Sequence, residues 1–207
     1  MNQDLINESC ENFAALLASK TPTPGGGGAA ALVGALGVAL CSMAGNFTLG
    51  KKKYADVEDD IKIILDKAEK LRLELLSLID EDARAFAPLA EAYAIPKDNP
   101  KRAEILEVAT LNACEAPVKM VMCCASAIEL LNEMLDKGSR MLISDVGCGA
   151  LLSLAAMEAA AMNVFINTVS LNNDQARSIE RKIDDTLKEF RPRASAIVEE
   201  VNKIIRK

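Results

Sequence analysis

Apolar residues recur along most of this chain at the three- and four-residue spacing of amphipathic helices. No stretch shows the sustained alternation of apolar and polar residues that a half-buried strand requires. The clearest stripe steps alternately by four and three residues, through Val57, Ile61, Ile64, Ala68, Leu71, Leu75 and Leu78. The pattern predicts an all-α protein.

Prolines, glycines and capping residues divide this pattern into six predicted helical segments. The first four are expected over residues 3–19, 28–49, 57–93 and 101–137, with a kink or a break at Pro117. The fifth should begin at Ser144 or Asp145, which are good N-caps, and end near residue 169. The last should run from residue 174 to the chain end, with a bend at Pro192.

The second and fifth segments are apolar enough to be mistaken for membrane spans. Residues 29–49 carry no charge, although Ser42 and Asn46 interrupt them, and the fifth segment is similar apart from Glu158. Their apolar residues are largely Ala and Gly, which gain little in lipid but let helices pack closely. We expect these helices at the centre of a single-domain helical bundle over residues 1–207. A membrane-associated bundle is the alternative.

Composition narrows the function classes. A net charge of −6 without a long basic stripe argues against nucleic-acid binding. The absence of histidine excludes a Ser-His-Asp triad, a Cys-His pair and the usual zinc sites. The N-terminus has acids where a signal peptide has lysines, and the six cysteines show no C-x-x-C spacing. We expect a cytoplasmic protein with reduced thiols and no metal site.

Two prolines and four consecutive glycines precede the second helix. Such a backbone can be approached closely by a ligand or by another helix, and the helix start supplies free N–H groups. No Gly-Lys-Ser/Thr follows, so the run is not a Walker phosphate loop. Close helix packing and ligand binding both remain open; the candidate binding residues are Pro24, Gly25, Gly26 and Gly27.

An aspartate interrupts the stripe of the third helix. The next step after Leu78 falls on Asp82, and apolar residues resume at Phe86 and Leu89. Burying a carboxylate without a partner costs several kcal/mol or forces its protonation. Asp82 is therefore expected either in a structural ion pair or hydrogen bond, or at an interior ligand site. Asp80 and Glu81 lie on other faces and are interpreted as solvated acids.

Four blocks of the sequence resemble the cyclodeaminase/cyclohydrolase family. They are residues 21–54, residues 80–97 (DEDARAFAPLAEAYAIPK), residues 137–147 (KGSRMLISDVG) and residues 163–168 (NVFINT). That family comprises the cyclodeaminase half of formiminotransferase-cyclodeaminase and free-standing bacterial relatives, including methenyltetrahydrofolate cyclohydrolases. The blocks keep their order over nearly the whole chain, and the chain is most similar to the free-standing members.

The resemblance implies an all-helical homodimer or higher homo-oligomer that acts on tetrahydrofolate one-carbon adducts, with folate sites near the subunit contact. It implies no cofactor beyond the tetrahydrofolate substrate. Cyclodeamination of 5-formimidoyltetrahydrofolate is the first expectation and methenyltetrahydrofolate hydrolysis the alternative; a noncatalytic helical scaffold is a third. Both reactions involve a cationic N–C–N unit and proton transfers, which a buried carboxylate can serve. Asp82 is the candidate catalytic residue.

Other polar residues are candidates for contacts with such a substrate. Asn163 and Asn167 are four apart and share a helix face, where they could bind a pteridine edge or link two helices. Asp145 could bind substrate or simply cap its helix. The chain also has a group of basic residues that could bind a polyglutamate tail or remain solvated, namely Lys51, Lys52, Lys53 and Arg140. Tyr54 could stack on the substrate, donate a hydrogen bond to it or simply lie at the surface.

Overall fold

Six α-helices dominate the computed structural model, which describes residues 4–207. The helices are α1 (Cys10–Leu17), α2 (Gly26–Asn46), α3 (Glu58–Ala94), α4 (Arg102–Lys137), α5 (Ile143–Thr168) and α6 (Asp174–Ile205). Short 3-10 turns lie at Leu5–Asn7, Lys52–Val57 and Arg140–Leu142. No strand occurs between residues 4 and 207, so the all-α prediction is confirmed.

Helix α2 lies at the centre of the bundle, packed against α3, α4 and α5. It runs antiparallel to α3, because Gly28 near its start faces Ile79 while Gly45 near its end faces Leu65. Helix α4 packs on α3 and α5, and α6 covers α5 and α4. The predicted stripe of α3 supplies much of the core around α2.

Glycines bring α2 and α5 into very close contact. A Cβ atom on Gly37 would lie 3.0 Å from the carbonyl oxygen of Gly149, and one on Gly149 would lie 3.0 Å from the carbonyl oxygen of Gly37. Both distances are tighter than nine in ten real Cβ contacts, and the same Cβ atoms would lie 2.6 Å from the Ser153 hydroxyl oxygen and 2.8 Å from Leu131 Cδ2, so the crossing favours glycine on both helices. The prediction of two central Ala/Gly-rich helices is confirmed, and it has this steric reason.

Two segments are long and apolar enough to span a membrane, Gly26–Asn46 and Arg140–Thr168. In their most apolar windows, 56% and 44% of the residues are buried inside the bundle. They are core helices that pack against one another. Their outer faces remain apolar and exposed.

Helix α3 continues well beyond the start of α2. Residues after Asp82 pair with the first half of α4 to form a hairpin that has its own small cluster of Leu89, Ala92, Ala109 and Ala113. The hairpin leaves an open space beside the first turn of α2. This space is the site described below.

The helix boundaries correct several sequence expectations. Residues 3–19 do not form one helix, because the Ser9 side chain accepts a hydrogen bond from the Asn12 N–H and starts α1 afresh; Gln3 lies outside the described residues. Helix α5 begins at Ile143, so Asp145 lies in its first turn and is not the N-cap. Helices α4 and α6 continue through Pro117 and Pro192, which excludes a break at Pro117; a kink at Pro117 and a bend at Pro192 stay predictions.

Candidate functional site

A cavity of about 350 Å³ opens at the N-terminal end of α2. Its walls come from the glycine run, α3, α4 and α5. The lining residues are Pro22, Thr23, Gly25, Gly26, Gly27, Asp82, Phe86, Leu89, Tyr93, Ala113, Pro117, Asn163, Ile166 and Asn167. Six sequence candidates therefore meet in one place, namely three of the glycines, the aspartate and both asparagines.

Asp82 is the only ionisable carboxylate among these lining residues. Burial raises its pKa from 3.8 to about 6, and a hydrogen bond from the Gly28 backbone N–H opposes that rise. The Gly28 N–H belongs to the first turn of α2, where the helix dipole also favours negative charge. Asp82 is thus held against the start of α2, and its pKa of about 6 lies within reach of neutral pH.

Gly27 makes this arrangement possible. A Cβ atom at this position would overlap both oxygens and the carboxyl carbon of Asp82. The carboxylate therefore lies directly against the backbone of α2. Within the glycine run, Gly27 admits the Asp82 side chain and Gly28 packs against Pro24 and Ile79, so close packing is observed there. Ligand binding by the run stays a prediction.

Asn163 and Asn167 project from the last turns of α5 into the cavity, on one face as predicted. The Asn163 Nδ2 donates to the carbonyl oxygen of Ala159 at 2.8 Å. The Asn167 Nδ2 donates to the carbonyl oxygen of Ala113, in α4, at 3.3 Å. The second bond links two helices, and both residues still line the cavity. Linking two helices and binding a ligand in the cavity are therefore compatible roles for these amides.

An apolar wall completes the cavity, from residues that are not among the candidates proposed from the sequence. Phe86, Leu89 and Tyr93 lie above Asp82 on α3, while Ile166 contributes from α5. The signal was present in the sequence: residues 82, 86, 89 and 93 follow the same helical face. Phe86 and Leu89 were recognised only as a resumption of the core stripe. An aromatic and aliphatic wall beside one carboxylate suits a ring system that carries a positive charge.

The predicted basic residues gather elsewhere. Lys51 Nζ donates to the Ser139 hydroxyl at 3.1 Å, the Arg140 backbone N–H donates to the Tyr54 hydroxyl at 3.1 Å, and Lys53 Nζ lies 5.6 Å from the centre of the Tyr54 ring. The pKa of Tyr54 is lowered, first by the Arg140 N–H and then by Ser139, Lys53 and Lys51. We call Lys51, Lys52, Lys53, Tyr54 and Arg140 the basic cluster.

The basic cluster and the Asp82 cavity lie at opposite ends of α2. Twenty-one residues separate them along the helix, which corresponds to about 30 Å. One chain therefore does not bring Lys51, Lys53, Tyr54 and Arg140 to the cavity, contrary to the expectation of a single site. Asp145 also lies at the end with the basic cluster, in the first turn of α5.

Two further expectations need correction. Pro24 is buried against Gly28 beneath the start of α2 and does not line the cavity. Asp80 is not simply solvated, because its carboxylate accepts a hydrogen bond of 2.7 Å from the Leu5 N–H and holds the N-terminal segment. Glu81 forms a surface ion pair with Lys119 at 3.2 Å. Among the three neighbouring acids, only Asp82 faces the cavity.

The chain is similar to known proteins over nearly its whole length. Residues 9–204 match the family model described as formiminotransferase-cyclodeaminase. A methenyltetrahydrofolate cyclohydrolase of Methylorubrum extorquens is 42% identical over 179 residues, covering 84% of this chain and 86% of that protein.

More distant relatives carry the other activity in their names. A mouse formimidoyltransferase-cyclodeaminase is 29% identical over 95% of this chain, which spans 37% of the mouse protein. The crystal structure of a formiminotetrahydrofolate cyclodeaminase from Thermotoga maritima superposes with a TM-score of 0.83 at 28% identity, covering 97% of this chain and 96% of that one.

Proposed function

Because the chain belongs to the formiminotransferase-cyclodeaminase family, we propose that it hydrolyses 5,10-methenyltetrahydrofolate to 10-formyltetrahydrofolate. The observation that carries the proposal is Asp82, one carboxylate with a pKa of about 6 in a cavity with an apolar wall and two amides. Such a group is largely ionised at neutral pH, so it stabilises the cationic methenyl unit and accepts a proton.

The sequence favoured cyclodeamination as the first expectation. The identity of 42% to a cyclohydrolase, against 28% and 29% to cyclodeaminases, supports the alternative instead. The cyclohydrolase also matches this chain over 86% of its own length, whereas the mouse relative is a much longer protein. We therefore place hydrolysis first.

The proposed mechanism needs only water and Asp82. Water attacks the methenyl carbon, a C–O bond forms, and one water proton passes to the Asp82 carboxylate. The C–N5 bond then breaks as Asp82 returns that proton to N5. The hydroxyl proton leaves to solvent as the formyl C=O forms, so the reaction consumes one water and releases one proton. A single positioned acid–base group of this kind contributes about 10²–10⁴-fold.

Cyclodeamination is the second candidate, supported by the fold match to the Thermotoga maritima cyclodeaminase with a TM-score of 0.83. In that reaction N10 attacks the formimidoyl carbon and ammonia leaves. Asp82 would again face a cationic N–C–N unit and move a proton. The same cavity serves either chemistry, so the two reactions differ in the substrate that is bound.

We further propose that two copies of the chain form a homodimer through the outer faces of α2 and α5. These faces expose large apolar side chains over most of their length: Leu36, Met43, Phe47, Leu151, Met162 and Ile166. An antiparallel pairing places the basic cluster of one protomer beside the Asp82 cavity of its partner. A parallel pairing would instead bring two basic clusters together, which like-charge repulsion disfavours.

This dimer would bring the two groups of predicted substrate-binding residues, one from each protomer, into the same site. Asp82, Asn163 and Asn167 would hold the reacting part of the folate, while Lys51 and Arg140 of the partner would face its glutamate tail. Surface cations attract a carboxylate chain at low cost to folding, and the attraction weakens with salt. A dependence of binding on the glutamate tail of the substrate would therefore test the proposed dimer.

The test is an assay of purified protein with each adduct and no added metal or nucleotide. We expect the absorbance of the methenyl chromophore to fall faster than in the uncatalysed control, and a chelator to leave the rate unchanged. Ammonia release from the formimidoyl adduct, without methenyl hydrolysis, would reverse the order of the two candidates. Well-folded protein that turns over neither adduct and is not stabilised by folinic acid would support the noncatalytic scaffold.

A further inference from the structure

Pro117 lies inside α4 at the wall of the cavity. A proline in a helix interior is destabilising, because it removes one hydrogen bond and crowds the preceding turn. Helix α4 nevertheless continues through it without a break, from Arg102 to Lys137. The position therefore calls for a compensating interaction.

The compensation lies one turn earlier. In an α-helix the N–H of residue 117 would donate to the carbonyl oxygen of residue 113, but proline has no N–H. The freed Ala113 carbonyl accepts a hydrogen bond of 3.3 Å from Nδ2 of Asn167. Because Ala113 is buried, its carbonyl would otherwise lack a hydrogen-bond partner, which is destabilising.

The bond also determines which way the Asn167 amide faces. Burial raises the pKa of the Cys114 thiol to about 11, and a side-chain hydrogen bond from Asn167 opposes that rise. The nitrogen of Asn167 is thus committed to the Ala113 carbonyl. Within residues 4–207 no group donates to its Oδ1, which remains an acceptor at the cavity wall.

The Asn163 side-chain amide, one turn earlier on α5, has the same orientation. Its nitrogen donates to the Ala159 carbonyl at 2.8 Å, and its oxygen accepts no bond from the described part of the chain. Two amide oxygens four residues apart on α5 therefore line the cavity with their nitrogens occupied elsewhere. This arrangement fits a ligand edge that carries adjacent hydrogen-bond donors.

We propose that Pro117 is a positioning residue: by freeing the Ala113 carbonyl it holds the Asn167 amide so that both asparagine oxygens receive the N–H and NH2 donors of a reduced pterin ring. The proposal rests on the proposed function, because the ring is the invariant part of the folate substrate. It separates recognition of the ring by α5 from chemistry at Asp82 on α3.

The chain offers a matched control in Pro192, which lies inside α6. Residue 188, four positions earlier, is exposed, so water can satisfy its freed carbonyl. Pro117→Ala and Pro192→Ala both restore one helical N–H. Only the first change withdraws the carbonyl that holds Asn167.

We expect Pro117→Ala to weaken binding of folinic acid by about 3- to 10-fold, the scale of one hydrogen bond. KM for the methenyl substrate should rise by a similar factor while kcat changes little, because Asp82 is untouched. Thermal unfolding should show both variants at least as stable as the wild type. Pro192→Ala should bind folinic acid as the wild type does.

A double-mutant cycle decides whether Pro117 acts through Asn167. In an Asn167→Ala background, Pro117→Ala should cause no further loss of folinic acid binding. Additive losses, or a Pro117→Ala protein that binds as tightly as Pro192→Ala, would overturn the proposal. If Pro117→Ala fails to fold, Pro117→Ser restores the same N–H and replaces it in the cycle.

The outcome for the wild type separates this proposal from the proposed function. A wild type that neither binds folinic acid nor converts either adduct removes both. A wild type that turns over the methenyl substrate, with a Pro117→Ala variant indistinguishable from Pro192→Ala, removes only the role of Pro117.

Discussion

At the residue scale, Asp82 shows a conflict between stability and function. Burial disfavours the ionised form of its carboxylate, and the hydrogen bond from the Gly28 N–H compensates in part. A pKa raised from 3.8 to about 6 means that the ionised form costs on the order of 3 kcal/mol of folding stability. Of the two structural alternatives, the hydrogen bond is present, from the Gly28 N–H, whereas an ion pair is not, because none of the residues lining this cavity is a cation.

The first prediction is that Asp82→Asn lowers kcat by about 10²–10⁴-fold, the usual scale for one acid–base group, while the protein stays folded. The Asp82 carboxylate binds its proton more tightly in the folded wild type than in the unfolded chain, because its folded-state pKa is raised. The stability of the wild type relative to the variant is therefore retained at low pH and lost as pH rises through about 6. Urea titrations at pH 5 and pH 8 should show the variant gaining on the wild type at the higher pH.

The pH profile provides the control for this interpretation. For the wild type, kcat/KM should increase with pH through about 6 as the base ionises. The variant should lack that step. A folded variant with near-normal turnover would remove Asp82 from the mechanism without changing the family.

The second prediction concerns Gly27, whose missing side chain leaves room for the carboxylate. Gly27→Ala should push Asp82 away from the Gly28 N–H and lower kcat/KM by about 10²-fold, because small displacements of catalytic groups are costly. Gly28→Ala is the matched change. Its new methyl would lie 3.4 Å from Pro24, an ordinary contact, so Asp82 should keep its place and its pH profile.

If Gly27→Ala retains the wild-type rate and pH profile, the close approach of Asp82 to α2 is not required for catalysis. If both glycine variants lose activity equally, a general disturbance of the first turn of α2 by the added methyl group, and not the displacement of the carboxylate, explains the loss.

At the element scale, the crossing of α2 and α5 sets the geometry of the bundle. Glycines at the crossing admit backbone-to-backbone contact, and the Ser153 side chain is fully buried beside them. Its hydroxyl is a buried side-chain polar atom without a hydrogen-bond partner in the described chain. Close packing therefore leaves one polar group unsatisfied in the core.

The third prediction follows: Ser153→Ala should raise the free energy of unfolding by about 1 kcal/mol, because an unpaired buried hydroxyl costs about 1–3 kcal/mol. Ser42→Ala is the control, since the Ser42 hydroxyl donates to the Val38 carbonyl at 3.3 Å and is partly exposed. Denaturant titration of both variants measures the difference. A destabilised Ser153→Ala would show that the hydroxyl has a favourable partner.

At the scale of the whole molecule, the sequence candidates divide between two ends of one helix. The exposed apolar faces of α2 and α5 extend between those ends, and in our proposal a second copy of the chain packs on them. In the proposed antiparallel dimer, each site takes its carboxylate and amides from one protomer and its cations from the partner.

The fourth prediction tests this sharing. Changing Lys51, Lys52 and Lys53 together to glutamine should raise KM for a polyglutamylated substrate much more than for the monoglutamate. The difference should shrink at high salt, because surface charges are screened over about 8–10 Å. Equal effects on the two substrates would leave the lysines as solvated surface residues.

Mixed dimers give a sharper control for the same prediction. Asp82→Asn subunits refolded with the lysine variant form one site with Asp82 and all three partner lysines, and one site with neither. Polyglutamate-dependent activity should therefore reappear on mixing. A mixture that only averages its parents would contradict the antiparallel arrangement.

Local patterns were sufficient for the helices and for one catalytic candidate. The stripe that reached Asp82 predicted its inward orientation, because helical period alone decides which face a residue occupies. The starts of α1 and α5 differ from the predicted ones, because a helix start depends on the path of the chain into the helix and neighbouring polar residues such as Ser144 and Asp145 fit the same pattern.

The sequence by itself determined the helical class, the central place of the two Ala/Gly-rich helices and the family, since these depend on periodicity, residue size and ordered blocks. Only the tertiary structure decided which candidates share a site. It brought Gly27, Asp82 and Asn167 together from three helices and left Lys51 and Arg140 about 30 Å away, because antiparallel packing sets neighbours far apart in the chain side by side. The link between Pro117 and Asn167 has no trace in local pattern. It exists only because the missing N–H of one helix faces the amide of another.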